Sequence, residues 1–185
     1  MYPLPRINTM LDDLRNGGWF TSLDLNAGYW QIKLADADRE KTAFRTRSGL
    51  WEWLVMPMGL KNAGSTFQRI MNGVLGSLQY ACAMVYLDDI IVYSKSSEQH
   101  LSDLGLVLER LSKMGMTCKL KKCDFFRRML DFLGHTIDCM GVRPQQRLID
   151  KILKCAPPTD VKGVKSFLGL VGYYRRFISG YAGIS

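Results

Sequence analysis

Cys82-Ala83-Met84-Val85-Tyr86-Leu87-Asp88-Asp89-Ile90-Ile91-Val92-Tyr93 is the stretch on which the fold turns. It holds two β-rich apolar runs, Cys82–Leu87 and Ile90–Tyr93, with only Asp88-Asp89 between them. Runs of this kind joined by two residues predict an antiparallel hairpin, here with the two acids at its tip. Adjacent carboxylates raise each other's pKa unless positive charge lies nearby. An isolated Asp-Asp is more often a polar turn, since Asp is a common turn residue. The apolar strands on both sides are what a solvent turn does not require and a metal site anchored in a sheet does.

A third acid has a similar setting. Asp24 lies in Ser22-Leu23-Asp24-Leu25, inside the apolar stretch Phe20–Leu25, which reads as a buried strand. A buried acid without a partner is costly. It serves either as a cap or ion pair, or as a neighbour of Asp88 and Asp89 on an adjoining strand. In the second case three carboxylates could hold two Mg²⁺ ions, which favour oxygen ligands and substrate phosphates. Such a pair of ions clamps the attacking and leaving oxygens of an in-line phosphoryl transfer, a reaction in which positioning and electrostatics dominate.

Outward from these acids, Gln31–Leu34 alternates apolar and polar residues and predicts a second strand, and Trp51–Met56 another, stopped by Pro57. Asn62–Leu78 carries Phe67, Ile70, Met71, Val74 and Leu78 at helical spacing. Glu98–Met114 does the same with Leu101, Leu104, Val107, Leu108 and Leu111. Short strands are expected near Phe125 and over Asp131–Ile137. Pro144 is expected to open a helix striped by Leu148, Ile149, Ile152 and Leu153. Pro157-Pro158 ends it and marks a joint, and Val161–Ile178 reads as a last helix. The repeated Phe-Leu-Gly at 132–134 and 167–169 falls once in a strand and once in a helix, so it is not a structural repeat.

With 185 residues, 47% of them hydrophobic, a packed domain is expected rather than disorder. The longest apolar run, Tyr80–Leu87, falls far short of the ~20 residues of a membrane helix. The five cysteines form no C-x-x-C pair and the histidines number two, which argues against a zinc site or a disulfide framework and for a reducing, intracellular setting. Charge is uneven. Residues 1–109 hold 10 Lys/Arg against 12 Asp/Glu, a net of −2; residues 110–185 hold 15 against 5, a net of +10. A polyanion gripped on the C-terminal side would explain this, as would a solvated lysine-rich surface. Both ends read as cuts within something longer.

At this point the sequence resembles a known family, the reverse transcriptases. Tyr86-Leu87-Asp88-Asp89 looks like their (Y/F)-x-D-D signature, and Ser22–Ile32 (SLDLNAGYWQI) resembles their first carboxylate motif. Met56–Gln68 (MPMGLKNAGSTFQ) resembles the next motif, and Phe132-Leu133-Gly134-His135 the primer-grip strand. Ser166–Leu170 with Tyr173–Ile178 is similar to the segment that follows in gypsy-class LTR retrotransposons. The five motifs stand in family order from Tyr2 to about Ile184.

The resemblance implies an α+β fold: a right-hand polymerase palm, an antiparallel sheet with helices packed on one face, with partial fingers and the start of a thumb or connection. The expected division is 1–80 for partial fingers and the first part of the palm, 81–142 for the palm with its YLDD hairpin and primer grip, and 143–185 for the helical, basic start of the thumb. It implies an RNA-directed DNA polymerase from a retroelement Pol polyprotein, acting on an RNA template, a DNA primer/template duplex and deoxynucleoside triphosphates. Two Mg²⁺ ions, replaceable by Mn²⁺, are the implied cofactors. The parent polyprotein is expected to continue into ribonuclease H and integrase, with no membrane partner and a cytoplasmic (virus-like particle) or nuclear location.

By position, Asp24, Asp88 and Asp89 take the catalytic and metal-binding roles, and the Leu25 carbonyl is a further implied ligand. Tyr29 falls where the family keeps an aromatic gate against a 2′-hydroxyl, or is an ordinary core aromatic. Met58 should pack against the incoming nucleotide. Lys122, or its neighbour Lys121, falls where a lysine protonates the leaving pyrophosphate; with seven basic residues from Arg110 to Arg128, simple backbone contact is an equal reading. Tyr86, Leu133, Gly134 and Lys121 fall among the primer and template contacts. Arg143, Arg147, Lys151, Lys154, Lys162, Lys165, Arg175 and Arg176 suit a phosphate backbone, in whole or in part. Met58 and Gly64 depart from the Phe and Pro usual in relatives, and the basic upstream fingers segment is missing. The alternative is therefore a degenerate or co-opted fragment that binds nucleic acid or a protein without polymerising.

Overall fold

A computed structural model describes residues 2–184. In chain order, α1 (Ile7–Leu14) precedes β1 (Trp19–Asp24), followed by α2 (Asp36–Arg39) and the hairpin β2 (Phe44–Thr46) and β3 (Gly49–Trp51). The long helix α3 (Ala63–Leu75) leads into β4 (Ala83–Tyr86) and β5 (Asp89–Ser94), then α4 (Ser97–Lys113). Four strands follow: β6 (Asp124–Arg127), β7 (Met129–Phe132), β8 (His135–Asp138) and β9 (Gly141–Pro144). Helices α5 (Gln146–Leu153), α6 (Val161–Gly172) and α7 (Tyr181–Ile184) end the chain.

The centre is a four-stranded antiparallel sheet in the order β4-β5-β1-β6. Side chains alternate between its faces. Leu23, Val85, Ile90 and Val92 point to one face, where they meet Phe67, Met71, Val74 and Leu75 of α3 and Leu104, Val107 and Leu111 of α4. Phe20, Met84, Ile91 and Tyr93 point to the other. There they meet Met10, Leu11 and Leu14 of α1 and Leu130, Phe132 and Ile137 of a second sheet, β7-β8-β9. The α+β palm expected from the sequence is thus present, with α3 and α4 on one face as anticipated. The opposite face is covered as well, by α1 and the second sheet.

Burial on both faces fixes the register. A one-residue slip would exchange every side chain between two filled cores. Helix α4 adds a polar lock: its buried His100 contacts Thr21 Oγ1 of β1 through Nε2 at 2.7 Å and Ser94 Oγ of β5 through Nδ1 at 3.1 Å. Ser94 Oγ also donates to Asp103 Oδ2 at 2.6 Å. Burial keeps the His100 pKa below the ordinary imidazole value, so the neutral ring is favoured.

Several local expectations are corrected. Gln31–Leu34 is not a strand: Gly28–Gln31 forms a 3₁₀ turn, and only Lys33 bridges to Val55. Gly28 packs beneath Phe67, and the Gln31 amide bonds the Asn26 and Thr117 carbonyls, so tertiary contacts override the alternation. The strand expected over Trp51–Met56 ends at Trp51. Asp131–Ile137 is a hairpin, turning at Leu133-Gly134, and not one strand. Pro144 ends β9, and its helix begins at Gln146. The last helix stops at Gly172, and Arg175–Phe177 is a separate 3₁₀ turn.

Candidate active site

The acids sit at one end of the central sheet. Asp24 is the last residue of β1 and pairs across the ladder with Asp89, the first residue of β5, which in turn pairs with Tyr86. Directly opposed residues share a face, so Asp24, Asp89 and Tyr86 project together on the α1 side. Leu23 and Leu25 flank Asp24 and are buried in the opposite core, which holds it in that orientation. The hairpin tip is Leu87-Asp88 rather than Asp88-Asp89, because Asp89 is already paired.

The turn is strained and braced. Leu87 adopts φ +53°, a left-handed conformation that costs a non-glycine residue roughly 1–2 kcal/mol. The fully buried Gln68 of α3 compensates: its Oε1 accepts from Leu87 N at 2.8 Å, and its Nε2 donates to Val85 O at 2.8 Å and to Asn72 Oδ1 at 2.9 Å. The sequence reading missed this residue. Its signal was a polar side chain on the apolar stripe of α3 that also contains Phe67, Met71, Val74 and Leu75.

Electrostatically the site is short of positive charge. Burial, then the charges of Asp89 and Asp24, push the Asp88 pKa above the ordinary carboxylate value. Asp89 keeps a solvent-facing edge, but the protein packed around it, then Asp24, raises its pKa too. Lys122 opposes both shifts; its Nζ lies 3.2 Å from Asp24 Oδ2. The Lys122 side chain is 58% exposed, so this pair adds little stability. Among the described residues, buried Asp88 Oδ1 has no hydrogen-bond partner. Among the described residues, no three His, Cys, Asp or Glu side chains form a ready-made metal cage. The donor set still fits Mg²⁺, which is usually held by one or two carboxylates completed by water and substrate phosphates. An orphaned carboxylate oxygen among mutually repelling acids is a position that a cation relieves.

The other sequence-predicted residues divide. The half-buried Tyr29 stacks on Phe67 at 4.9 Å, and a Cβ at Gly64 would lie 3.7 Å from its hydroxyl and 3.2 Å from Leu87 of the acid turn; burial, then the charge of Asp88, raises the Tyr29 hydroxyl pKa. The Leu25 side chain is in the core, and the bonds of its bridge to Cys118 run from Asn26 N and to Asp24 O, leaving the Leu25 carbonyl out of them. Leu133 and Gly134 form the β7–β8 turn, and Leu133 and Tyr86 pack on the same apolar cluster. Met58 is 65% exposed and lines a separate hollow with Trp30, Trp53, Pro57 and Leu60. Lys121 is exposed beside Lys122. Of the basic C-terminal residues, Arg143 pairs with Asp138, Arg176 with Asp12, and Arg147 bonds Gln145. Lys151, Lys154, Lys162, Lys165 and Arg175 have no acidic partner among the described residues.

Comparison with known proteins finds relatives of this chain in sequence and in fold. A family model described as reverse transcriptase (RNA-dependent DNA polymerase) matches residues 1–137. The retrovirus-related Pol polyprotein from transposon 297 of Drosophila melanogaster is 41% identical over 184 residues, covering 100% of this chain and 17% of that protein. The transposon Tf2-3 polyprotein of Schizosaccharomyces pombe is 36% identical over 178 residues, covering 96% and 13% respectively. The chain therefore spans less than a fifth of these curated relatives. Among solved structures, the foamy viral protease-reverse transcriptase dRH in complex with double-stranded DNA superposes with a TM-score of 0.88 at 26% identity, covering 98% of this chain and 33% of that one. The foamy viral protein in complex with an RNA/DNA hybrid gives 0.81 at 26% identity, covering 94% and 23%.

Proposed function

Because this chain belongs to the reverse transcriptase (RNA-dependent DNA polymerase) family, we propose that it is the palm-centred core of an RNA-directed DNA polymerase released from a retroelement Pol polyprotein. The observation that carries the reading is the pairing of Asp24 with Asp89 at the end of a register-locked sheet, with Asp88 on the adjoining turn. The proposed substrates are deoxynucleoside triphosphates, and the proposed partners an RNA template and a DNA primer/template duplex. The relatives are polyproteins, and the proposed parent protein carries ribonuclease H and integrase beyond this segment. The proposed setting is intracellular, in a cytoplasmic particle or the nucleus.

Asp24, Asp88 and Asp89, with the free Leu25 carbonyl, would hold two Mg²⁺ ions, or Mn²⁺ in their place. Bound there, such ions neutralise the triphosphate and lower the pKa of the primer 3′-hydroxyl. The protein's own contribution is geometric and electrostatic. Three carboxylates are fixed before substrate arrives, so little reorganisation remains at the moment of transfer. Lys122 reaches the acids and carries a proton that it can give to the departing pyrophosphate. The Tyr29 ring, stacked on Phe67, stands as a wall against a ribose 2′-hydroxyl, and Met58, in its separate hollow with Trp30 and Trp53, would pack against the incoming nucleotide. Tyr86 and the Leu133-Gly134 turn would seat the primer end, and Lys121 with the unpaired lysines of α5 and α6 the phosphate backbone.

The test is Mg²⁺-dependent primer extension on an RNA template, comparing the parent-length protein, this chain and Asp88→Asn. Extension by the parent-length protein, abolished by Asp88→Asn, is expected. No extension by the parent-length protein with any divalent metal would sink the polymerase reading. Undiminished extension by Asp88→Asn would sink the site assignment.

A further inference from the structure

The Leu133-Gly134 turn at the tip of β7–β8 has both φ angles positive, +45° and +78°. Two consecutive left-handed residues give a type I′ hairpin, which suits strand twist but strains a leucine. Such a turn at a hairpin tip would ordinarily be mobile. Here four donors hold it. Leu133 O accepts from the Tyr173 hydroxyl at 2.7 Å and from His135 Nδ1 at 2.9 Å. Gly134 O accepts from the Tyr174 hydroxyl at 3.1 Å and from Gln145 N at 3.0 Å. A carbonyl oxygen has two lone pairs, so both acceptors are full.

Two details show that this geometry is favoured over local comfort. Leu133 O can only accept, so His135 must carry its hydrogen on Nδ1. That leaves Nε2 bare, and among the described residues it is buried without a partner, in a ring whose centroid lies 5.4, 5.4 and 5.6 Å from those of Tyr173, Tyr174 and Phe177. A Cβ at position 134 would stand 2.8 Å from the Tyr174 hydroxyl and 3.3 Å from Leu148 Cδ1, so a larger residue there displaces the hydroxyl or the turn.

The two tyrosines follow directly on the end of α6, and consecutive hydroxyls reach consecutive carbonyls. Their rings cross at 89° with centroids 4.9 Å apart. The helix stops at Gly172, and Tyr173 is its C-cap. Arg176 then ties the segment to Asp12 of α1 at 2.7 Å. Leu133 and Tyr86 pack on the same apolar cluster, so the clamped turn adjoins the residue that begins the Asp88 turn. Packing alone would require only the rings, which phenylalanine supplies.

We propose that Tyr173 and Tyr174 are positioning residues, whose hydroxyls set the height and angle at which the Leu133-Gly134 turn presents the primer 3′ end to Asp24, Asp88 and Asp89. This rests on the polymerase reading above. The end of α6 thereby controls the seat of the primer terminus without touching the reacting atoms.

The experiment uses the full-length polyprotein reverse transcriptase that carries this chain, as wild type, Tyr173→Phe/Tyr174→Phe, and Gly134→Ala. Primer extension is measured under steady state. A primer with 2-aminopurine at its 3′ terminus reports how the end base is held without any chemistry. The double phenylalanine variant should lose kcat by about tenfold to a hundredfold, the scale of an ångström-level misplacement. Its nucleotide KM should stay within about twofold, since the loss is confined to the transition state. Terminal 2-aminopurine fluorescence in the bound duplex should rise. Gly134→Ala, which displaces the Tyr174 hydroxyl from the other side, should reproduce both changes. Unchanged kcat and fluorescence in the double variant, a rise in KM in place of a fall in kcat, or a silent Gly134→Ala would each overturn the proposal. A wild-type enzyme that extends no primer would instead overturn the polymerase reading.

Discussion

Asp24 and Asp89 stand directly opposite each other where β1 ends and β5 begins, and among the described residues the only cation bonded to either is the Lys122 ammonium, 3.2 Å from Asp24 Oδ2. Like charges so placed repel, and the fold tolerates this because both faces of the sheet behind them are filled. The site therefore works against stability, which sets the first expectations.

Asp88→Asn should abolish primer extension while stabilising the metal-free protein. A gain on the order of 1 kcal/mol, ordinary when a strained active-site charge is removed, corresponds to a rise in Tm of about 2–4 °C for a chain of this size. Calorimetry and extension assays on one preparation check both. A fall in Tm would mean that Asp88 supports the fold.

The sign with pH follows from the raised pKa values of Asp88 and Asp89. Groups whose pKa is higher folded than unfolded bind more protons in the native state, so stability falls as pH rises from the ordinary carboxylate value through the raised folded values. The Tm advantage of Asp88→Asn should accordingly be full above the raised folded values and vanish below the ordinary carboxylate value. Saturating Mg²⁺ should raise the wild-type Tm at pH 7 by mass action and leave Asp88→Asn nearly unmoved.

Gln68→Leu preserves volume but strips Leu87 N and Val85 O of their partner. Each unsatisfied buried group costs about 1–3 kcal/mol, so urea unfolding should show a loss in that range. Extension should slow more than the residual stability explains, because the strained turn that carries Asp88 is released. Equal activity at matched folded fractions would remove Gln68 from the site.

Gly64 occupies the first turn of α3, where an added Cβ would lie 3.2 Å from Leu87 Cδ2 and 3.7 Å from the Tyr29 hydroxyl. The leucine methyl is the free end of a flexible side chain and can yield. Gly64→Ala should therefore stabilise by about 0.5–1 kcal/mol through the unfolded chain, read as a higher urea midpoint at constant m. Destabilisation would show instead that Leu87 cannot move.

Tyr29→Val removes the ring that leans on Phe67. Incorporation of ribonucleotides relative to deoxynucleotides should rise by at least tenfold, about 1.4 kcal/mol of discrimination. Unchanged selectivity would leave Tyr29 as a core aromatic.

Patterns that depend on near neighbours in the chain were legible in the sequence. The apolar runs around Asp88-Asp89 specify their hairpin, and the stripes of α3 and α4 specify those helices. What could not be read there depends on distant partners. Gln31–Leu34 alternates like a strand, but Gln31 finds its bonds at Thr117. Lys121 and Lys122 are equivalent by spacing, and only the 3₁₀ turn at Leu120–Lys122 decides which ammonium reaches Asp24. The hairpin tip fell one residue early because pairing of Tyr86 with Asp89 is a property of the ladder and not of composition. Gln68 was visible as an oddity on an apolar face, but its role needed the turn it braces.

The dispersal of these groups along the chain has a consequence during synthesis. Asp24 leaves the ribosome early, Lys122 much later, and the tyrosines that hold the Leu133-Gly134 turn later still. Until Tyr174 has emerged, the turn lacks the hydroxyls that hold its carbonyls. The order of residues along the polypeptide thus separates the pairing of the acids, possible once Ser94 has been made, from completion of the turn that packs on the same cluster as Tyr86.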